Sequence, residues 1–134
     1  MSGIGTGGTV TGVGEYLKSK NENIKIVGVE PENSPILSKG TAGKHAIQGI
    51  GAGFVPEVLN CDILDEVITV SDEDAINTAR YMGMEEGFLI GISAGAALFA
   101  AIELAKREEN KDKNIVVIFP DSGSKYLSTT LYDF

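Results

Sequence analysis

The distribution of glycine constrains this chain more than any other feature. Seventeen of its 134 residues are glycine; six fall between residues 3 and 14 and five between residues 40 and 53. Clustered glycines mark backbone that must take positive φ or come close to something. Apolar residues interrupt both clusters and periodic segments follow them, which distinguishes them from flexible linker. The chemistry of the chain is expected at these two turns.

Around them the pattern alternates between helix and strand. Val10, Val13 and Leu17 fall at helical spacing and predict a helix of about three turns, decaying into Lys18-Ser19-Lys20-Asn21. Ile24 to Val29 predicts a strand that stops at Glu30-Pro31, where proline withdraws a ladder donor. Residues 33 to 53 read as a long loop. Val67 to Val70 predicts a second strand, and Ser71 with Asp74 resembles a capping box opening a helix. That helix points Ile76, Ala79 and Met82 or Gly83 inward and ends at Gly87. Phe88 to Ile92 reads as a short strand, with Ser93 at the turn and Ala94 to Arg107 as a buried helix. Ile115 to Phe119 reads as a strand covered on both faces.

This alternation implies the α/β class, a parallel sheet with flanking helices in one domain. A glycine turn is normally fed by a strand that aims it, yet only Met1 and Ser2 precede Gly3. The chain is therefore expected to start in mid-motif, either as part of a longer protein or with the strand supplied by another chain.

Composition removes several function classes. A net charge of −8 opposes binding to nucleic acid. One cysteine, Cys61, and one histidine, His45, leave no disulfide or metal cluster to expect. No apolar run approaches the roughly 18 residues of a membrane span, so the expectation is a cytoplasmic protein.

Gly5-Thr6-Gly7-Gly8-Thr9 at the start of a helix presents several backbone amides in one concavity, with the positive end of the helix dipole behind them. Thr6 and Thr9 add hydroxyl donors. Such a site favours phosphate, although a turn packed for steric reasons has the same composition. The Walker pattern fails because Thr9 stands where lysine is required. The dinucleotide fingerprint competes, since Gly3-x-Gly5-x-x-Gly8 fits and Glu30 falls where a ribose-binding acid would sit.

Three further segments discriminate: Gln48-Gly49-Ile50-Gly51-Ala52-Gly53-Phe54, Gly91-Ile92-Ser93-Ala94-Gly95-Ala96-Ala97, and Pro120-Asp121-Ser122-Gly123 followed by Tyr126-Leu127-Ser128-Thr129. With Gly5 to Thr9, and in this order, they resemble cysteine synthase (O-acetylserine sulfhydrylase), among the fold-type-II pyridoxal-phosphate enzymes. The resemblance covers almost the whole chain. It implies that residues 1–134 form the cofactor-binding C-terminal domain of such an enzyme, truncated at its N-terminus. Gly5, Thr6, Gly7, Gly8 and Thr9 match the family's loop for the phosphate of pyridoxal 5'-phosphate. Ser93 matches the serine that meets the pyridine nitrogen. Gln48, Gly49, Ile50, Gly51 and Ala52 match a mobile loop on the substrate side. Ser122 to Thr129 match a segment lining the same cleft; Asp121, Ser124 and Lys125 are given no role.

Ser93 also carries a physical argument. A neutral hydroxyl at a helix N-terminus lies in positive potential, which disfavours a proton on the ring nitrogen. The alternative is that Ser93 caps its helix. The implied reaction is β-replacement: acetate leaves O-acetylserine and sulfide adds, giving L-cysteine. The family's cofactor-carrying lysine precedes the phosphate loop, and every lysine here follows it. Lys18, Lys20, Lys25, Lys106, Lys111 and Lys113 fall on solvated positions, and Lys39 and Lys44 in a polar loop. No catalytic residue is therefore assigned, and the chain alone is expected to be inactive.

Cys61 lacks an activating neighbour and reads as an ordinary small residue; His45, beside the second glycine turn, reads as a packing histidine. The resemblance further implies a homodimer for the full-length protein and a cleft that accepts the tail of serine acetyltransferase. The competing functions are a dinucleotide-binding fragment of an oxidoreductase and a non-catalytic partner-binding module.

Overall fold

The computed structural model describes residues 1–133 as a three-stranded parallel sheet with helices on both faces. In chain order the elements are β1 (Ser2–Gly3), α1 (Gly8–Lys20), β2 (Val27–Pro31), α2 (Ile36–Lys39), β3 (Glu66–Val70), α3 (Asp72–Glu85) and α4 (Ile92–Ala105), with short 3-10 turns between and after them. The strand order is β1-β2-β3, with Gly3 beside Val29 and Val29 beside Ile68. All five residues of β2 are buried, as expected of a central parallel strand.

Two apolar clusters hold the layers together. Ile4, Val10, Ile26, Leu59 and Ile63 form one, associated with α1. The other joins Val29 and Val70 of the sheet to Ala75 and Ala79 of α3 and to Ala94, Ala96 and Ala100 of α4. The small side chains let α3 and α4 approach closely. A Cβ added at Gly95 would run into the carbonyl oxygen of Ala75.

The predicted helices are present, and Ser71 caps α3 by accepting from the Asp74 amide at 3.0 Å. The strands depart from expectation in three places. β2 lies three residues later than predicted, because the Ile26 amide is taken by the Asp65 carboxylate at 2.7 Å. Pro31 nevertheless stays in register with Val70, since the ladder bond there comes from Glu32 to the Val70 carbonyl at 2.8 Å.

Phe88 to Ile92 is not a strand. Its backbone turns instead to the C-terminal segment: Gly123 donates to the Leu89 carbonyl, Tyr132 to that of Ile90, and Gly91 to that of Asp121. Only an isolated antiparallel bridge joins Ile90 and Ser122.

Ile115 to Phe119 is likewise not a strand covered on both faces. Its polar backbone meets Met1, whose ammonium donates to the Val116 carbonyl at 2.7 Å and whose carbonyl accepts from Ile118 at 3.1 Å. Val116 and Phe119 remain exposed. The glycine turn does have a feeding strand, the two-residue β1. No helix among the described residues is long and apolar enough to cross a membrane.

Candidate functional site

Gly7 makes the turn between β1 and α1 possible. It caps α1 with φ +86°, in the left-handed region, and an added Cβ would lie 2.6 Å from Cβ of Leu59. The first amide to bond back into the helix is that of Thr11, on the Gly7 carbonyl at 3.0 Å. Among the described residues, the amides of Thr6, Gly7, Gly8 and Thr9 donate to no protein group. Four free N–H groups at the positive end of a 13-residue helix are able to receive an anion. Thr6 and Thr9 are exposed at its lip.

The two glycine clusters meet here. The amide of Gly51 donates to the Ile4 carbonyl at 3.0 Å, and Gly5 approaches the carbonyl oxygen of Gly49 so closely that a Cβ would collide with it. A cavity of about 310 Å³ opens above the junction, lined by Gly5 to Thr9, by Gln48, Gly49 and Ile50, and by Ser93. Gly51 and Ala52 fall outside it and line a much smaller gap shared with Glu30 and Ser34.

Ser93 lies in the first turn of α4, behind Gly91, which is the N-cap and supplies no side-chain cap. The capping role considered for Ser93 is thus absent. Its side chain is buried and bonds to no protein group among the described residues, yet it lines the cavity. A hydroxyl so placed can donate to or accept from whatever enters.

Other candidates separate from this site. Glu30, which the dinucleotide reading needs on a ribose, is buried and spent on α2. One carboxylate oxygen accepts from the Leu37 amide, the other from the Ser38 amide and hydroxyl, at 2.6 to 2.9 Å. His45 accepts from the Ile47 amide at Nδ1, so Nε2 carries the proton facing the Gly51 carbonyl at 3.0 Å; both nitrogens are engaged. Cys61 is exposed at the surface. No lysine lines the cavity among the described residues. Lys18 pairs with Asp65, Lys106 with Glu103, and Lys20 lies over the Tyr16 ring.

Two cavity residues escaped sequence reasoning: Asp121, left without a role, and Tyr126, placed only within a lining segment. Tyr126 donates to Oδ2 of Asp121 at 2.6 Å. An Asp and a Tyr five residues apart match no helical or strand spacing, so nothing in the sequence pairs them.

Four unpaired amides at a helix N-terminus and a free buried hydroxyl in one cavity, with apolar surface from Ile50, Ile118 and Pro120, fit pyridoxal phosphate. The family described as "Pyridoxal-phosphate dependent enzyme" matches residues 1–121. Cysteine synthase B of Campylobacter jejuni is 57% identical over 132 residues, covering 98% of this chain and 43% of that protein. Cysteine synthase of Staphylococcus aureus is 51% identical over 134 residues, covering 100% and 43%. The crystal structure of cysteine synthase (OASS) from Entamoeba histolytica superposes with a TM-score of 0.97 at 46% identity, covering 99% of this chain and 39% of that one. The chain therefore spans less than half the length of these relatives, and it belongs to the pyridoxal-phosphate-dependent enzyme family.

Proposed function

We propose that this chain is the C-terminal, cofactor-binding part of a cysteine synthase, an enzyme that makes L-cysteine from O-acetylserine and sulfide by β-replacement. The observation that carries this reading is the single cavity in which four free amides, the second glycine loop and the Ser93 hydroxyl converge. When bound, pyridoxal phosphate supplies the electron sink for loss of the β-substituent. The tasks left to this chain are holding and orienting.

In this reading the amides of Thr6 to Thr9, backed by the α1 dipole, bind the phosphate, and the hydroxyls of Thr6 and Thr9 add donors. Ser93 meets the ring nitrogen. Gln48, Gly49 and Ile50 border the substrate side, while Gly51 and Ala52 hold that loop against Ile4 and the gap beside Glu30. The lysine that carries the cofactor belongs to the portion of the relatives that this chain does not span, so the chain alone makes no cysteine. The full-length enzyme is read as a cytoplasmic homodimer whose cleft receives the tail of serine acetyltransferase.

Titration of the chain with pyridoxal phosphate, followed by absorbance, tests the reading. Weak binding that inorganic phosphate competes away, with no imine absorbance, is expected. A borohydride-reducible adduct on one lysine of this chain would overturn the division of labour, and tight NAD binding would favour a dinucleotide site.

A further inference from the structure

The second glycine loop turns at Gln48 and Gly49, and one side chain ties its two ends together. Nδ1 of His45 accepts from the Ile47 amide, just before the turn, at 3.2 Å. Nε2 of the same ring faces the Gly51 carbonyl, just after the turn, at 3.0 Å. An N–H aimed at Nδ1 needs a bare nitrogen there, and a carbonyl aimed at Nε2 needs a proton. One neutral tautomer meets both demands.

The surroundings of the ring fit it closely. A Cβ added at Gly51, whose φ is +66°, would lie 2.7 Å from Nε2 and 2.6 Å from Cγ of Pro31. Ile47 and Ile50 are buried in the core cluster that holds Val29 and Ala94, so the apolar side chains of the loop point inward. Gln48 and Gly49 are left exposed on the cavity wall, opposite the first glycine turn. Gly49 takes φ +89°, and its carbonyl oxygen abuts Gly5. A shift of the turn is therefore transmitted to the start of the phosphate loop.

We propose that His45 is a positioning residue: its ring bridges Ile47 and Gly51 across the base of the turn and so fixes where Gln48 and Gly49 stand at the cavity. The proposal rests on reading the cavity as the pyridoxal-phosphate site. It goes beyond the expectation of a packing histidine, for which the ring's bulk alone would matter.

The test reads three signals from the chain: nitrogen NMR of the labelled histidine ring, hydrogen exchange of the Ile47 amide, and phosphorus NMR of added pyridoxal phosphate. In the unaltered chain at neutral to mildly alkaline pH, Nε2 is expected to carry the proton; a proton on Nδ1 instead overturns the proposal. His45→Phe keeps a ring without its nitrogens. It is expected to speed exchange at Ile47 and to weaken pyridoxal-phosphate binding, each by about ten-fold. His45→Asn, whose side-chain carbonyl can accept from the amide two residues on, is expected to restore slow exchange at Ile47 and part of the affinity. A Phe variant that matches the unaltered chain, or an Asn variant that recovers neither signal, overturns the proposal while leaving the cofactor reading intact. Should His45→Phe not fold, the ring-nitrogen spectrum of the unaltered chain and the Asn variant still decide. Failure of the phosphorus signal of pyridoxal phosphate to respond to the unaltered chain overturns the cofactor reading and this proposal with it.

Discussion

The amide of Gly51 donates to the carbonyl of Ile4 at 3.0 Å, and this bond ties the second glycine loop to the strand that feeds the first. Its neighbour contact, Gly5 against the Gly49 carbonyl, leaves no space for a side chain. The two loops thus form one unit, and damage to either reaches the cavity between them.

Gly5→Ala is expected to separate the loops and weaken pyridoxal-phosphate binding by at least about ten-fold, or about 1.4 kcal/mol. Gly12→Ala, in α1 where an added Cβ meets nothing within 4 Å, serves as the control and should bind normally. Equal affinities for the two variants in a calorimetric titration would show that the loops are not coupled.

Glu30 anchors the start of the long loop. Its carboxylate is buried and accepts three hydrogen bonds from Leu37 and Ser38. Glu30→Ala leaves those donors without partners and is expected to cost about 1–3 kcal/mol of stability. Urea denaturation measures this, and faster amide exchange at Leu37 and Ser38 should accompany it. An unchanged midpoint would mean that water replaces the carboxylate freely.

Ser71→Ala removes the cap of α3 and is expected to lower stability by about 1 kcal/mol. The hydroxyl both accepts from the Asp74 amide and donates to the Asp74 carboxylate at 2.7 Å. Because α3 packs on α4 through Ala75 and Ala79, the loss should appear in global unfolding and not only as fraying. Fraying alone in hydrogen exchange would contradict this.

Arg107 grips both oxygens of Glu66 at 2.7 and 2.8 Å, and these bonds hold the Glu66 carboxyl below its ordinary value. A depressed folded-state value means that the native chain binds fewer protons than the unfolded one in the acid range. The associated stability is fully present above the unfolded value, about 4.3, and is lost as pH falls through the lower folded value. Both side chains are more than a third exposed, so solvent screens the pair and salt should weaken it. Glu66→Gln is expected to flatten the acid limb of the stability profile; a limb of unchanged slope would show that Asp65, which Lys18 also holds low, dominates there.

Much of this molecule was legible in its sequence. Helices announced themselves by period and caps: Val10 on α1, Ser71 on α3, the alanine-rich face of α4. The glycine turn declared a set of unpaired amides, since tight turns before a helix leave them free whatever the rest of the chain does. These are local consequences of steric freedom and hydrogen-bond supply, and a few residues suffice to set them. The strand readings at Phe88 to Ile92 and Ile115 to Phe119 failed because apolar runs do not say which groups will answer their backbone; the Tyr132 hydroxyl and the main chain of Gly123 and Met1 did.

Only the tertiary structure decided which residues share the cavity. It brought Gln48, Gly49 and Ile50 to Gly5 and left Gly51 and Ala52 outside, spent Glu30 on α2, released Ser93 from capping, and set the unpaired oxygen of Asp121 over the end of α4. Each of these is a contact between residues far apart in the chain. Such contacts depend on how the layers close, and periodicity and composition carry no record of that.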